Sequence, residues 1–170
     1  MRRDHAAPGM LRERGGSYRA APGTLTCIDL FCGCGGFSLG MQRAGFDLLA
    51  AIDSSPVATA AFDQNFPGVP FVLTEDLTTF SPDALAGLLG RDTVDVIVGG
   101  PPCQGFSIAR QVERTNHGQR LKHDPCRHLY QDFLRYVDFF QPRLFVMENV
   151  LGLRNPLGTG PAGLCTAQRG

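Results

Sequence analysis

The side chains that could bind a ligand or do chemistry all follow short apolar runs of this sequence. The first group is a glycine-rich segment, in which Gly33, Gly35 and Gly36 stand within four positions. Glycines between a strand and a helix let the backbone approach a ligand closely and direct helix N–H groups towards it. Serine at position 38 departs from the dinucleotide-binding pattern, and the missing Gly-Lys-Ser/Thr excludes a P-loop. A tight turn without a ligand is the alternative.

Two acidic residues occupy corresponding positions after the next two apolar runs. Asp53 follows the second run, seventeen residues after Gly36, and Asp76 follows the third. A carboxylate at the end of a second strand can accept hydrogen bonds from ribose hydroxyls. Asp76, after the third strand, could accept one from an adenine amino group. Either acid taken alone is more often a helix cap or a surface charge. Together with the glycine-rich segment, the two acids predict an adenosine-containing ligand.

Two reactive side chains follow the fourth and fifth apolar runs. Cys103 comes after Gly100-Pro101-Pro102, where prolines stiffen the backbone and flanking glycines leave the sulfur approachable. This setting is more typical of a nucleophilic thiolate than of an inert cysteine on an apolar face. Glu148 follows the fifth run. If the fourth and fifth strands are neighbours, Glu148 lies at the same rim as Cys103, where a positioned acid is expected.

Runs of strand length alternate with helix-length segments from Leu25 onwards. The predicted strands are apolar nearly throughout, as in sheets covered on both faces: Leu25 to Phe31, Phe46 to Ile52, Pro70 to Leu73, Val94 to Val98 and Leu144 to Met147. Caps, stops and apolar spacing predict the helices: Phe37 to Ala44, Ser54 to about Phe66, Ser81 to Gly90 and Cys126 to Phe140. The predicted fold class is α/β, a doubly wound and mostly parallel sheet with its ligand crevice at the carboxyl ends of the strands.

Composition limits the kinds of protein that 170 residues can form. The chain is 43% hydrophobic, enough for one domain, and has no apolar run near the ~18 residues of a membrane span. The first 23 residues lack the apolar core of a secretory signal, so we expect a cytoplasmic protein with reduced thiols. The pair Cys32 and Cys34 has no second pair or histidine cluster at ligand spacing, so no metal is expected.

The formal net charge of zero is unevenly distributed. Residues 26–103 hold two basic and nine acidic residues, a net charge of −7, whereas residues 104–128 hold five basic and two acidic, a net charge of +3. Residues 104–125 show no apolar period, and a long basic loop of this kind is usually functional or mobile. A solvated loop without a ligand is the alternative. We expect a disordered basic arm over 1–23, a folded domain over 24–150 that contains this loop, and a disordered tail over 151–170.

These segments together resemble the cytosine-5 DNA methyltransferases in the order, the spacing and the residues of their motifs. The resemblance covers about residues 25–153 and rests on Asp29 to Gly40, Asp53, Asp76, Gly100 to Ser107 and Glu148-Asn149-Val150. It implies the Rossmann-like fold of S-adenosylmethionine-dependent methyltransferases, with S-adenosylmethionine as the cofactor. The cofactor-binding residues that it implies are Phe31, Gly33, Gly35, Gly36, Asp53, Asp76, Leu77, Pro102 and Leu129.

The same resemblance implies a covalent mechanism on a cytosine that has left the duplex. The Cys103 thiolate adds to carbon 6 of the base, carbon 5 of the resulting enamine takes the methyl group, and Glu148 holds N3 and the exocyclic amine. Asn149 holds the Glu148 loop in place, and the basic loop closes over double-stranded DNA. The implied substrate contacts are Gln104, Ser107, Arg110, Arg114, Arg120, Lys122 and Asn149.

Family members continue beyond the Glu-Asn-Val motif with more sheet, an Arg-bearing motif, a target-recognition region and a closing motif at the cofactor. None is readable after Val150, so we expect a sheet that is incomplete on its C-terminal side and a chain inactive alone. The expected whole is a bacterial enzyme of the restriction-modification type that acts on nucleoid DNA. The alternatives are one half of a split enzyme completed by a C-terminal chain, and a non-catalytic remnant. A tRNA methyltransferase is disfavoured by Gly105-Phe106-Ser107.

Overall fold

The computed structural model describes residues 23–102 and 129–148. Strands and helices alternate along these two ranges: β1 (Thr26–Leu30), α1 (Gly36–Arg43), β2 (Asp47–Asp53), α2 (Pro56–Asn65), β3 (Phe71–Thr74), α3 (Pro82–Leu89), β4 (Val96–Gly99), α4 (Leu129–Phe140) and β5 (Leu144–Met147). Each predicted strand is present within two residues of its expected bounds. Of the predicted arm only Gly23 is described, and the loop over 104–125 and the tail over 151–170 lie outside the described residues.

The five strands form a single parallel sheet in the order β3-β2-β1-β4-β5. The central strand β1 is buried along its whole length and pairs with β2 on one side and β4 on the other. The chain therefore leaves β1 towards one edge of the sheet and later returns to build the other edge. Ligands of such sheets bind where the strand order reverses, at the carboxyl ends of the central strands.

Helices cover both faces of the sheet and create two hydrophobic cores. On one face, Ile28 and Leu30 of β1 pack in a cluster with Leu85 of α3 and with Phe133 and Phe140 of α4. The other face holds a cluster of Cys27, Leu48, Val98, Phe62 of α2 and its C-cap residue Phe66, with Phe37 and Met41 of α1 packed against it. Both faces of the strands are apolar for this reason, and the predicted doubly wound α/β class is confirmed.

The helix boundaries follow the caps that the sequence predicts. The hydroxyl groups of Ser55 and Ser81 accept hydrogen bonds from backbone N–H groups in the first turns of α2 and α3, and each serine precedes a proline. Gly90 ends α3 in the left-handed conformation. The predicted start of α4 at Cys126 lies outside the described residues, in which the helix begins at Leu129. None of the helices described is both long and apolar enough to cross a membrane.

Gly99 allows β4 to lie tightly against β1 at the point where both strands end. It pairs with Leu30, and a Cβ atom at this position would overlap the Leu30 carbonyl oxygen. The same Cβ atom would lie 3.1 Å from the ring of Phe133 in α4. Because backbone and a fully buried ring leave little room to relax, only glycine fits here.

We expect Gly99→Ala to lower the free energy of unfolding by about 2–3 kcal/mol through overpacking against Leu30. Urea unfolding followed by circular dichroism measures this loss. The matched control is Gly87→Ala in α3, where a Cβ atom meets nothing within 4 Å. There the better helix propensity of alanine should raise stability by up to about 1 kcal/mol. Equal effects of the two substitutions would contradict the packing argument.

Candidate active site

A cavity of about 360 Å³ lies at the carboxyl ends of β1, β2, β3 and β4. Its volume is typical of sites for small molecules. Each of these strand ends contributes to the wall, and α4 closes it with its first residue. The lining residues among those described are Phe31, Asp53, Ser54, Glu75, Asp76, Leu77, Thr78, Gly100, Pro102 and Leu129.

The cavity brings together most of the residues that the sequence assigns to a cofactor. Six of them line it directly: Phe31, Asp53, Asp76, Leu77, Pro102 and Leu129. The glycines at 33, 35 and 36 form the adjoining turn between β1 and α1 and are not in the lining. Sequence reasoning missed four lining residues, namely Ser54, Glu75, Thr78 and Gly100. Each lies one or two positions from a predicted residue in the sequence. This closeness was the only signal by which they could have been predicted to line the cavity.

The Asp53 carboxylate joins the turns that follow β1 and β2. Its Oδ2 atom accepts a hydrogen bond from the Gly33 backbone N–H at 2.9 Å, and its Oδ1 atom accepts one from the Ser55 N–H at 2.9 Å. Each carboxylate oxygen has lone pairs for a further partner. Asp53 can therefore hold the glycine-rich turn in place and still accept hydrogen bonds from a ligand in the cavity.

Asp76 organises the loop that follows β3. Its Oδ1 atom accepts hydrogen bonds from the backbone N–H and the hydroxyl group of Thr78, at 2.9 and 2.8 Å. This turn presents Asp76 to the cavity while the next residue, Leu77, is buried in the core. Asp76 is exposed, so folding does not remove its second carboxylate oxygen from water. This oxygen is accessible to a ligand in the cavity.

The glycine-rich turn has an unusual backbone. Gly35 precedes α1 with a φ of 98° and makes no side-chain cap, and a Cβ atom there would overlap the ring of Phe66. Phe31 also adopts a left-handed conformation, with a φ of 58°. A non-glycine residue in this region costs free energy and is common at binding sites. The strained turn thus places an aromatic ring in the cavity wall directly after the central strand.

Asp29 in β1 is hydrogen-bonded to Ser38 in the first turn of α1. It is 1% exposed, and its Oδ2 atom accepts a hydrogen bond from the Ser38 hydroxyl at 2.6 Å. Its Oδ1 atom has no hydrogen-bond partner among the described residues. Burial raises the pKa of the Asp29 carboxyl group to about 7, hydrogen bonds from Ser38 oppose the rise, and the Asp53 carboxylate adds to it. Asp29 therefore titrates near neutral pH beside the site.

Glu148 lies at the end of β5, next to the end of β4. Its backbone N–H donates a hydrogen bond to the Gly99 carbonyl at 2.9 Å. A Cβ atom on Gly100 would lie 3.2 Å from the Glu148 Oε2 atom. The predicted adjacency of the fourth and fifth strands is confirmed, and the Glu148 carboxylate is exposed beside a residue of the cavity wall.

Several predicted site residues lie outside the described residues. These are the nucleophile Cys103 and the substrate contacts Gln104, Ser107, Arg110, Arg114, Arg120, Lys122 and Asn149. Cys103 is the residue that follows Pro102, which lines the cavity. Over 23–102 and 129–148, no three His, Cys, Asp or Glu side chains are grouped as metal ligands.

The family model of the C-5 cytosine-specific DNA methylases matches residues 25–159. The chain belongs to this family. The match covers well over half of the sequence and includes both groups of described residues. The family membership that the motifs predict is therefore confirmed.

Individual members of the methylase family agree with this assignment. The type II methyltransferase M1.HphI of Haemophilus parahaemolyticus is 48% identical over 130 residues, which are 76% of this chain and 33% of that protein. The type II methyltransferase M.DdeI of Desulfomicrobium norvegicum is 46% identical over 129 residues, 76% of this chain and 28% of that protein. A crystal structure from an E. coli prophage, of a protein assigned as a DNA modification methyltransferase, matches with 38% identity and a TM-score of 0.62. The match covers 33% of that protein and 76% of this chain. The chain thus spans about a third of the length of these proteins.

We expect the stability of this methylase chain to fall as the pH rises between about 4 and 7 through Asp29. Because its pKa is raised in the folded state, the native chain holds a proton there that the unfolded chain has released. Stability then declines by up to about 1.4 kcal/mol per pH unit across this window. Asp29→Asn, which mimics the protonated acid, should flatten the decline. Urea unfolding at several pH values compares the two proteins, and parallel pH profiles would contradict a raised pKa.

Proposed function

We propose that this chain carries the S-adenosylmethionine-binding part and the catalytic cysteine of a DNA (cytosine-5) methyltransferase of the restriction-modification type. The observation that carries this proposal is the cavity at the carboxyl ends of β1 to β4. Six residues that the family resemblance assigns to the cofactor, from five separate segments of the chain, meet in its wall. The family membership supports the same activity.

The shape and chemistry of the cavity suit an adenosine group. Phe31, Leu77 and Leu129 offer apolar surface to an adenine ring, and Asp76 offers an acceptor to its amino group. Asp53 lies between the turns after β1 and β2, where its carboxylate can accept hydrogen bonds from both ribose hydroxyls. These residues fit S-adenosylmethionine.

The charge of the lining also suits this cofactor. Three carboxylate residues, Asp53, Glu75 and Asp76, line the cavity, and the lining contains no lysine or arginine among the described residues. S-adenosylmethionine carries a positive sulfonium group, and an acidic cavity attracts a cation. A nucleotide polyphosphate, which is anionic, would be repelled by the same wall. The lining therefore favours a nucleoside with a cationic group over a nucleotide.

The cofactor supplies an electrophilic methyl group, and the chain supplies the groups that make cytosine able to accept it. We assign the nucleophile to Cys103, whose thiolate adds to carbon 6 of the base and leaves after carbon 5 has lost its proton. Glu148 holds N3 and the exocyclic amine. Its position beside Gly100 supports this role, because the carboxylate is exposed at the edge of the cavity wall.

DNA is the proposed polymer, and the segment after Cys103 is its proposed contact. Arg110, Arg114, Arg120 and Lys122 give this segment the positive charge that phosphate contacts need. A base that has left the duplex would be read through Gln104, Ser107 and Asn149. The two curated relatives described above are named as type II methyltransferases, which supports the restriction-modification type.

Binding of S-adenosylmethionine tests the proposal directly. We expect saturable binding of the purified chain in isothermal titration calorimetry, and at least about tenfold weaker binding by Asp53→Ala, which removes a charged acceptor. The matched control is Asp92→Ala, because Asp92 is exposed and lies between α3 and β4, away from the cavity. No binding by the wild-type chain, or equal losses in both variants, would contradict the assignment of this cavity.

Transfer of labelled methyl groups tests the choice of substrate. We expect the chain alone to transfer little label and to methylate double-stranded DNA when mixed with the part of the H. parahaemolyticus relative that this chain does not match. Cys103→Ala should abolish this transfer because the thiolate is the proposed nucleophile. Label in tRNA rather than DNA would favour the tRNA-modifying alternative. No transfer to either polymer would favour a non-catalytic remnant.

A further inference from the structure

Two side chains of helix α4 donate hydrogen bonds to the loop between β3 and α3. This loop forms one wall of the cavity. The Nη2 atom of Arg135 donates a hydrogen bond to the Leu77 carbonyl oxygen at 2.6 Å. One residue further along the helix, the Tyr136 hydroxyl donates to the Phe80 carbonyl oxygen at 2.9 Å. Neither side chain belongs to the cavity lining, so both act on the cavity only through the loop.

The bond to Leu77 is placed where it can fix the geometry of the wall. Leu77 and its neighbour Asp76 both line the cavity, and Leu129 lines it from the first turn of the same helix that carries Arg135. Arg135 therefore connects two parts of the wall that are more than fifty residues apart in the chain. The short bond is charge-assisted, which makes it stronger than a bond between neutral groups.

Arg135 contributes little else that would make it necessary for folding. Its side chain is 46% exposed, and its other described contact is an ion pair with Asp132 at 3.5 Å, one turn away on the same helix. Exposed pairs of this kind contribute little to stability. Tyr136, in contrast, is fully buried in the core, so its removal would disturb packing as well as the loop. Arg135 is thus the group whose effect on the loop can be separated from its effect on the fold.

We propose that Arg135 is a positioning residue for S-adenosylmethionine, which it serves by holding the Leu77 carbonyl so that Asp76 and Leu77 face the cofactor. This inference rests on the proposed function of the cavity. Because Arg135 does not line the cavity, its proposed effect is on binding rather than on the chemical step.

If Arg135 acted only through its positive charge, removing it would have the opposite effect on cofactor binding. The cavity is acidic and the cofactor is cationic, so removing a nearby positive charge should tighten binding if Arg135 acted only through its field. Removing a positioning bond should weaken binding. The sign of the change therefore distinguishes the two roles.

The test is calorimetric titration of S-adenosylmethionine into the full chain and its variants. We expect Arg135→Met, which keeps an unbranched side chain but has no donor, to bind about three- to tenfold more weakly. Arg135→Lys should recover part of the loss, since one N–H donor can still reach the carbonyl. The control Arg143→Met makes the same change in charge at the opposite edge of the sheet, where Arg143 pairs with Asp95 at 3.9 Å, and should leave binding unchanged. Urea unfolding of all four proteins shows whether each is fully folded under the conditions of the titration, so that a difference in binding is not a difference in the folded fraction.

A double-mutant cycle shows whether the effect passes through the loop. Asp76→Asn keeps an oxygen for the bonds from Thr78 but replaces the second carboxylate oxygen with a donor. In this background Arg135→Met should cost clearly less binding than in the wild type, because the loop no longer presents its acceptor. In an Asp53→Ala background the two losses should instead add.

The outcomes separate the inference from the function on which it rests. Wild-type binding that Arg135→Met leaves unchanged or tightens would overturn the positioning role alone. So would a loss that Arg135→Lys does not recover at all, or one that adds to the loss in Asp76→Asn. Failure of the wild-type chain to bind would overturn the proposed function and the inference together.

Discussion

Three hydrogen bonds to one residue hold the candidate site together. The Asp53 carboxylate accepts one bond from Gly33, in the turn after β1, and one from Ser55, at the start of α2. Its backbone carbonyl accepts a third, from the N–H of Glu75 after β3. Three strand ends are therefore fixed relative to one another by a residue that also lines the cavity. The parallel order of the sheet makes this possible, because it brings the carboxyl ends of β1, β2 and β3 to one edge.

The electrostatics of this region favour a cation. Asp53, Glu75 and Asp76 line the cavity, and the buried carboxyl group of Asp29 lies behind the glycine-rich turn. The Asp53 charge adds to the rise in the pKa of Asp29, which burial causes in the first place. A positive group in the cavity would relieve the repulsion among these carboxylates. The acids to which we assign nucleoside recognition would thus also favour a cationic ligand.

The five strands and the starts of two helices could be predicted from the sequence. The apolar runs predicted β1 to β5 because strands covered on both faces are apolar throughout, and Ser55 and Ser81 marked two helices. The contacts between segments were not readable in the same way. The hydrogen bond from Arg135 to the Leu77 carbonyl joins positions 58 residues apart, and no local sequence pattern predicts it. Asp29 likewise belongs to a recognisable motif, but its burial and its bond to Ser38 depend on how α1 packs on the sheet.

The candidate cavity and the Glu148 carboxylate lie close together at the end of β4. Gly99 packs so closely on the Leu30 carbonyl that it admits no side chain, and Gly100 lines the cavity close to the Glu148 carboxylate. The spacing between the two is therefore fixed by β4 and its pairing with β1 and β5, rather than by side chains that can change rotamer. A methyl donor in the cavity and a base held by Glu148 would then keep a constant separation at the end of β4. Transfer of a one-carbon group needs that constancy, since the reacting atoms must lie about 3–3.5 Å apart.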